Sequence, residues 1–287
     1  MKKNNTGLNT YCENTWCPGC GNFGILQAFK QAIISLEKKG MPRENVVVVS
    51  GIGCNSKITD YLNLNSFTSL HGRPITSAQG IKLANINLKV IVFSGDGGSY
   101  NEGISHLIHA AKRNNDITVL VSDNRNFALT TGQFTATSPK GFKGVSSPEG
   151  NIETPFNPLE IILSSKATFI ARGYSAKIEH LENLIIEGIK HKGFSFIEIL
   201  QPCVSFFNNY QFYQERVYEL KKHDFTSLKE AQEKIKEWDY IDETKKIPIG
   251  IFYKIKKPTY EEAVLNRLNL SKKEKQVNLK KALNDHL

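Results

Sequence analysis

Residues 88–98 read LKVIVFSGDGG, and residues 117–124 read ITVLVSDN. Each is a continuous apolar run, rich in β-branched side chains, that breaks into small or polar residues at its end. An unbroken run, as opposed to an alternating one, predicts a strand buried on both faces, as in a parallel sheet covered by helices. Between the two runs, Ile104, Leu107, Ile108 and Ala111 recur at helical spacing and predict a crossover helix with its apolar face on the sheet. A right-handed βαβ unit with no intervening strand sets the two strand tips side by side.

The same rhythm extends in both directions. Ile25, Leu26, Phe29, Ile33 and Leu36 form an apolar stripe after Gly21, and Gly40 follows as a stop, so a helix is expected there. Val46–Ser50 reads as another buried strand. Further on come a strand at Ala167–Ala171, a helix near Leu181–Lys192 and a strand at Phe194–Leu200. Strand alternating with helix in this way predicts an α/β fold with a doubly wound, mainly parallel sheet. From about Gln201 the text turns aromatic, polar and weakly periodic. A helix at Leu228–Trp238, a short extended piece at Pro248–Tyr253 and a charged helix or frayed tail at Leu265–Leu287 are expected there, as an extension wrapping the sheet or meeting a partner.

Composition narrows the function. The 287 residues are 40% hydrophobic and 23% charged, which fits a globular chain and excludes disordered or collagenous ones. The longest apolar runs, Val46–Val49 and Val90–Phe93, are too short to cross a bilayer, so no membrane role is expected. No apolar segment follows the polar Met1–Thr10, so a cytoplasmic location is expected, where thiols stay reduced. The net charge is +9, and residues 254–287 alone carry nine Lys/Arg against four Asp/Glu. No basic helix interleaved with aromatics accompanies it, so no nucleic-acid partner is expected; the basic tail either docks an acidic protein partner or is a solvated surface.

The strand tips carry the chemistry. Gly95, Gly97 and Gly98 let backbone N–H groups approach an anion without Cβ interference. Asp96 sits at the carboxyl end of its strand, where open α/β sheets bind ligands. Asn124 ends the neighbouring strand 28 residues later. A carboxylate and an amide oxygen at one point suit Mg²⁺, which completes its shell with water and phosphate. The plainer reading of residues 95–98 is a tight strand-to-helix turn.

Five cysteines in a chain of this kind argue for metal or catalysis before disulfides. Cys17 and Cys20 form a C-x-x-C pair just before the first helix. Cys54 and Cys203 each follow a predicted strand, on the edge that also carries Asp96 and Asn124. Four converging thiolates suit an iron–sulfur cluster or structural zinc. Zinc ribbons usually show two close pairs, and the isolated third and fourth ligands here favour iron–sulfur. A redox dithiol would leave Cys54 and Cys203 unexplained, and Cys12 reads as a plain thiol.

Together these pieces resemble the β subunit of the 2-oxoacid:ferredoxin oxidoreductases, from Trp16 to about Glu262. The resemblance is carried by WCPGCGNFG at Trp16–Gly24, GIGCNSK at Gly51–Lys57, LHGR at Leu70–Arg73 and GDG at Gly95–Gly97. HAAKR at His109–Arg113, Asp123-Asn124, LTTGQ at Leu129–Gln133, TFIARG at Thr168–Gly173, QPC at Gln201–Cys203 and IPIGIF at Ile247–Phe252 continue it. It implies a thiamine-diphosphate-binding α/β domain over residues 1–203, which also carries the iron–sulfur ligands. Residues 204–287 would be an extension packing on that domain or on the partner subunit. Cys17, Cys20, Cys54 and Cys203 would ligate one [4Fe–4S] cluster, and Asp96, Asn124 and the Asn126 carbonyl would hold Mg²⁺. Ile52, Gly53, Cys54, Asn55, His71, Gly95, Gly97, Gly98, Ala128 and Leu129 would line thiamine diphosphate. Lys57 would face the substrate carboxylate, with Arg73 nearby, and Leu129 would prop the cofactor. The implied reaction is the coenzyme-A-dependent oxidative decarboxylation of a 2-oxo acid to acyl-CoA and CO₂, with electrons passing to ferredoxin. It runs only with an α subunit, which supplies the activating glutamate, in a heterodimer or a dimer of heterodimers. The alternatives are a non-oxidative thiamine-diphosphate enzyme, which has no use for the four cysteines, and a non-catalytic scaffold holding structural zinc.

Overall fold

Eight strands join into one sheet in the computed structural model, which describes residues 7–265 together with Leu270 and Asn284. The chain runs through α1 (Asn22–Glu37), β1 (Val46–Ser50), β2 (Asn65–Thr68), α2 (Pro74–Ala84), β3 (Lys89–Gly95), α3 (Ile104–Arg113) and β4 (Thr118–Asp123). It continues through α4 (Pro158–Ser164), β5 (Phe169–Tyr174), α5 (Ile178–Lys190) and β6 (Ser195–Leu200). The final stretch holds α6 (Tyr210–Arg216), β7 (Val217–Glu219), α7 (Leu228–Ile235), β8 (Ile247–Lys254) and α8 (Tyr260–Leu265). Across the sheet the order is β2-β1-β3-β4-β6-β5-β8-β7. The six strands β1 to β6 run parallel, and β8 joins β5 antiparallel.

Both faces of the sheet are covered, which is why its strands read as unbroken apolar runs. Along β3, Ile91 and Phe93 face a core built with α1 and α5, including Phe29, Ile33, Leu181 and Ile185. Val90 and Val92 face the opposite core, built with Ile75 of α2, Leu107 of α3, Ile162 of α4 and Ile235 of α7. A third cluster, with Tyr174, Leu200, Tyr213, Trp238 and Tyr240, packs under β7 and β8.

The expected elements are present with shifted ends. The strand expected at Leu88–Ser94 is β3, one residue later, and the one expected at Ala167–Ala171 is β5, which begins at Phe169. Pro248–Tyr253 is more than a short extended piece: it lies within an eight-residue strand of the main sheet. Pro248 and Gly250 are poor strand formers and hide it in the sequence. The charged stretch Leu265–Leu287 lies, apart from Leu265, Leu270 and Asn284, outside the described residues. Among the described residues no helix is long and apolar enough to cross a membrane.

Candidate active site

Because β1, β3, β4 and β6 are parallel, their carboxyl ends share one edge of the sheet, and two adjoining chambers open there. The smaller has a volume of about 70 Å³. Its wall takes Ile52, Gly53, Cys54 and Asn55 from the loop after β1, and Gly95, Asp96, Gly97 and Gly98 from the tip of β3. Asn124, Asn126, Ala128 and Leu129 follow from the loop after β4, and His71 closes one side. The larger, about 190 Å³, is lined by Cys17, Cys20, Cys54 and Cys203 together with Lys57, Trp16, Gln201 and Ser205. Cys54, Asn124, Ala128 and Leu129 belong to both walls. Arg73 reaches neither chamber: it is exposed at the start of α2, and its Nη1 donates to the Glu102 carbonyl at 3.2 Å.

In the small chamber, glycine is required where the backbone must come close. A Cβ at Gly97 would lie 2.1 Å from the Phe127 ring, so only glycine lets that ring back the turn. Asp96 is 2% exposed, and its Oδ2 accepts hydrogen bonds from Thr135 Oγ1 at 2.6 Å and Thr137 Oγ1 at 3.3 Å. Burial, and then the nearby Asp123 carboxylate, push the Asp96 carboxyl well above the usual range. A cation placed beside it would reverse that shift. The Asn124 side-chain oxygen accepts from the Asn126 N–H at 3.1 Å, and the buried Asn126 Oδ1 has no partner among the described residues. Asp96, Asn124 and Asn126 thus line one small polar space with a buried carboxylate and amide and main-chain oxygens, the kinds of donor that a hard divalent cation takes. His71 Nδ1 stands 3.3 Å from the Glu102 carboxylate at the chamber's side.

Asp96 rests on a buried polar network. Asp123, at the end of β4, accepts at Oδ1 from Thr137 at 2.8 Å and at Oδ2 from the Tyr240 hydroxyl at 2.9 Å. Deeper in, Arg172 Nε meets Glu198 Oε2 at 2.7 Å with both side chains fully buried, and the guanidinium lies 5.0 Å from the Trp238 ring. Both Arg172 terminal nitrogens lack hydrogen-bond partners among the described residues, so the aromatic faces supply their surroundings.

The thiol chamber is assembled from four separate segments. Trp16 ties two of them: its indole N–H donates to the Cys54 carbonyl at 2.6 Å, and its ring packs edge-on against Tyr61 and Phe23. Burial, joined by the neighbouring thiols, raises Cys20 to about 11, and the same causes raise Cys54. As free thiols these side chains are neutral, and a bound metal would deprotonate them. Among the described residues no three His, Cys, Asp or Glu side chains close around a single ion; the four thiols ring a volume. Lys57 Nζ donates to Thr15 Oγ1 at the chamber's edge.

Size alone does not mark the site. A wider cavity of about 1220 Å³ lies at the opposite, amino-terminal edge of β6, lined by Lys190, Lys192, Lys254, Lys256, Phe225 and neighbours. Two of those lysines are already paired, Lys254 with Glu187 and Lys192 with Glu262. The carboxylate, amide and thiol groups all sit at the other edge.

Known proteins resemble this chain in both sequence and fold. The thiamine pyrophosphate enzyme C-terminal TPP-binding domain matches residues 48–199. The C-terminal part of the pyruvate ferredoxin oxidoreductase beta subunit matches residues 203–267. The 2-oxoacid:ferredoxin oxidoreductase subunit beta of Saccharolobus solfataricus is 42% identical over 269 residues, spanning 88% of this chain and 86% of that protein. This chain belongs to the β-subunit family of the 2-oxoacid:ferredoxin oxidoreductases. The 2-oxoglutarate synthase subunit KorB of Methanothermobacter thermautotrophicus is also similar, 42% identical over 192 residues, 67% of this chain and 66% of that one. A solved 2-oxoglutarate:ferredoxin oxidoreductase from Magnetococcus marinus, with 2-oxoglutarate, coenzyme A and succinyl-CoA bound, superposes with a TM-score of 0.86 at 30% identity. It covers 97% of this chain, and this chain covers 94% of it. In this oxidoreductase β subunit the segment matched to the TPP-binding domain runs from β1 to β6, and its loops after β1, β2, β3 and β4 line the small chamber.

Several residues of the site escape a reading of the sequence. Ser122, Phe127 and Thr130 complete the small chamber, and Thr15, Gln201, Ser205 and Phe206 the larger one. Thr135, Thr137 and Tyr240 support the carboxylates from loops. The only available signal was adjacency: Gln201 and Ser205 flank Cys203, and Phe127 follows the Asn124 motif.

Proposed function

We propose that this β subunit carries thiamine diphosphate, Mg²⁺ and one [4Fe–4S] cluster in a coenzyme-A-dependent 2-oxoacid:ferredoxin oxidoreductase that works with an α subunit. The reading rests above all on the shared wall of the two chambers, Cys54, Asn124, Ala128 and Leu129. Asp96, the Asn124 side-chain oxygen and the Asn126 main-chain carbonyl hold the cation. The backbone at Gly97 and Gly98, with His71, receives the diphosphate. Ile52, Gly53 and Asn55 close the chamber over it, and Leu129 props the cofactor. Asn55 also ties the β1 loop to the tip of β4 through its bond to Ser122 Oγ at 3.2 Å.

When bound, thiamine diphosphate supplies the nucleophilic carbon and the electron sink that loss of CO₂ from a 2-oxo acid requires. Lys57, on the wall of the thiol chamber, offers the charge for a substrate carboxylate. Cys17, Cys20, Cys54 and Cys203 would hold the cluster one wall away, where it would supply a one-electron acceptor. Per turnover, 2-oxo acid and coenzyme A give acyl-CoA, CO₂ and one proton, and two electrons pass one at a time to ferredoxin. The relatives' names favour 2-oxoglutarate among the substrates. Ile52 is 43% and Leu129 is 52% exposed at the chamber mouth. That apolar rim is where the α subunit docks and brings the activating glutamate. We assign residues 1–203 to the cofactor domain and 204–287 to an extension. Within that extension β8 lies along β5, and Tyr240 reaches back to Asp123.

The test is viologen or ferredoxin reduction by the anaerobically co-expressed αβ pair. Reduction should require both a 2-oxo acid and coenzyme A, from a brown protein with roughly four irons per β chain. A colourless preparation holding one zinc, or no reduction across a panel of 2-oxo acids, would contradict the proposal.

A further inference from the structure

We infer that Gln201 and Ser205 set the electron affinity of the sulfur cage by hydrogen-bonding its two C-x-x-C sulfurs, Cys20 and Cys17. The inference rests on the cluster assignment proposed above. Gln201 is 1% exposed, and its Nε2 donates both to the Pro202 carbonyl at 2.8 Å and to Cys20 Sγ at 3.6 Å. A primary amide has two N–H groups, so both bonds are satisfied at once. The opposite orientation would set Oε1 against a carbonyl and a thiolate, two acceptors. The amide holds its donor orientation although the buried Oε1 has no partner among the described residues. Gly21 provides the room: a Cβ there would come within 2.9 Å of Gln201 Cγ. The sequence Cys20-Gly21 and the side chain of Gln201 therefore fit each other.

Ser205 acts at the other end of the loop. Its Oγ donates to Cys17 Sγ at 3.2 Å, and both residues are exposed. Reduction of a thiolate-bound cluster adds negative charge that spreads onto the sulfurs. An N–H or O–H aimed at a sulfur stabilises the reduced form more than the oxidised one and raises the potential. The effect is larger where no water can replace the lost donor. Gln201, buried, therefore contributes more than Ser205, whose place water can take.

The experiment is an anaerobic redox titration of the αβ complex, monitored by electron paramagnetic resonance, with iron counted per chain. Gln201→Met should keep its iron and shift the reduction equilibrium about tenfold toward the oxidised form, ~59 mV more negative for one electron. Ser205→Ala should shift it the same way by about threefold, ~28 mV. A full cluster with unmoved or more positive potentials overturns the inference alone. Should Gln201→Met lose its iron, the surface change Ser205→Ala decides, a negative shift supporting the inference and no shift overturning it. An iron-free wild-type complex overturns the cluster assignment and this inference with it.

Discussion

The two chambers share a wall and an edge of the sheet, yet they are built in opposite ways. The small one draws its polar atoms from the tips of two adjacent strands, β3 and β4, with a loop after β1 as its cover. Its donors are hard oxygens and close backbone, and its rigidity comes from a buried network reaching Asp123, Thr137 and Tyr240. The larger draws four soft sulfurs from an N-terminal loop and the ends of β1 and β6. Ring packing around Trp16 holds two of those segments together. Neighbouring strand tips bring the hard oxygens to one chamber, whereas the four thiols need distant loops to meet. The two chambers should therefore fail separately.

Asp96→Ala offers the strongest way to break that comparison. Thiamine diphosphate binding with Mg²⁺ should weaken more than about a hundredfold by titration calorimetry, since the cation loses its one carboxylate. Iron content should stay unchanged, and stability should hold or rise as Asp123 loses a repulsive neighbour. Cys203→Ser is the mirror experiment: iron per chain should collapse while thiamine diphosphate affinity stays within about twofold, because Cys203 lines only the larger chamber. Loss of both ligands in either variant would show one site instead of two.

Arg172→Met probes the buried polar network behind Asp123. It leaves Glu198 buried without its cation, and a loss of about 3–5 kcal/mol in denaturant unfolding is expected. A loss below about 1 kcal/mol would mean that the aromatic shell carries the region without the ion pair. Gly97→Ala sharpens the picture at the smallest scale. Its Cβ would strike Phe127, which must move away from the chamber. Overpacking of this kind costs about 1–3 kcal/mol, read in stability and in thiamine diphosphate affinity, with iron content unaffected.

How much of this was visible in the sequence follows from the same contrast. Strand tips announce themselves, because a buried apolar run that stops at Gly-Asp-Gly or Asp-Asn places its polar residues by topology alone. Asp96, Asn124, Cys54 and Cys203 stand at or just past such tips, whereas Cys17 and Cys20 stand out by their C-x-x-C spacing. β2 was not: Asn65–Thr68 is a four-residue edge strand, exposed throughout, with no apolar pattern to betray it. Tyr240 and Thr137 act from loops 117 and 14 residues from Asp123 in the chain, and no periodicity links such positions. Arg73 stands beside His71 in the LHGR motif, but its guanidinium bonds the Glu102 carbonyl and does not line either chamber.

Anomalous diffraction at the iron edge, on anaerobically grown crystals of the αβ complex soaked with thiamine diphosphate and Mg²⁺, tests the shared wall most directly. The account predicts iron density inside the ring of Cys17, Cys20, Cys54 and Cys203, and a diphosphate over Gly97 and Gly98 across Cys54 from it. Iron found elsewhere, a lone zinc among the thiols, or a cofactor bound away from Asp96 would contradict it.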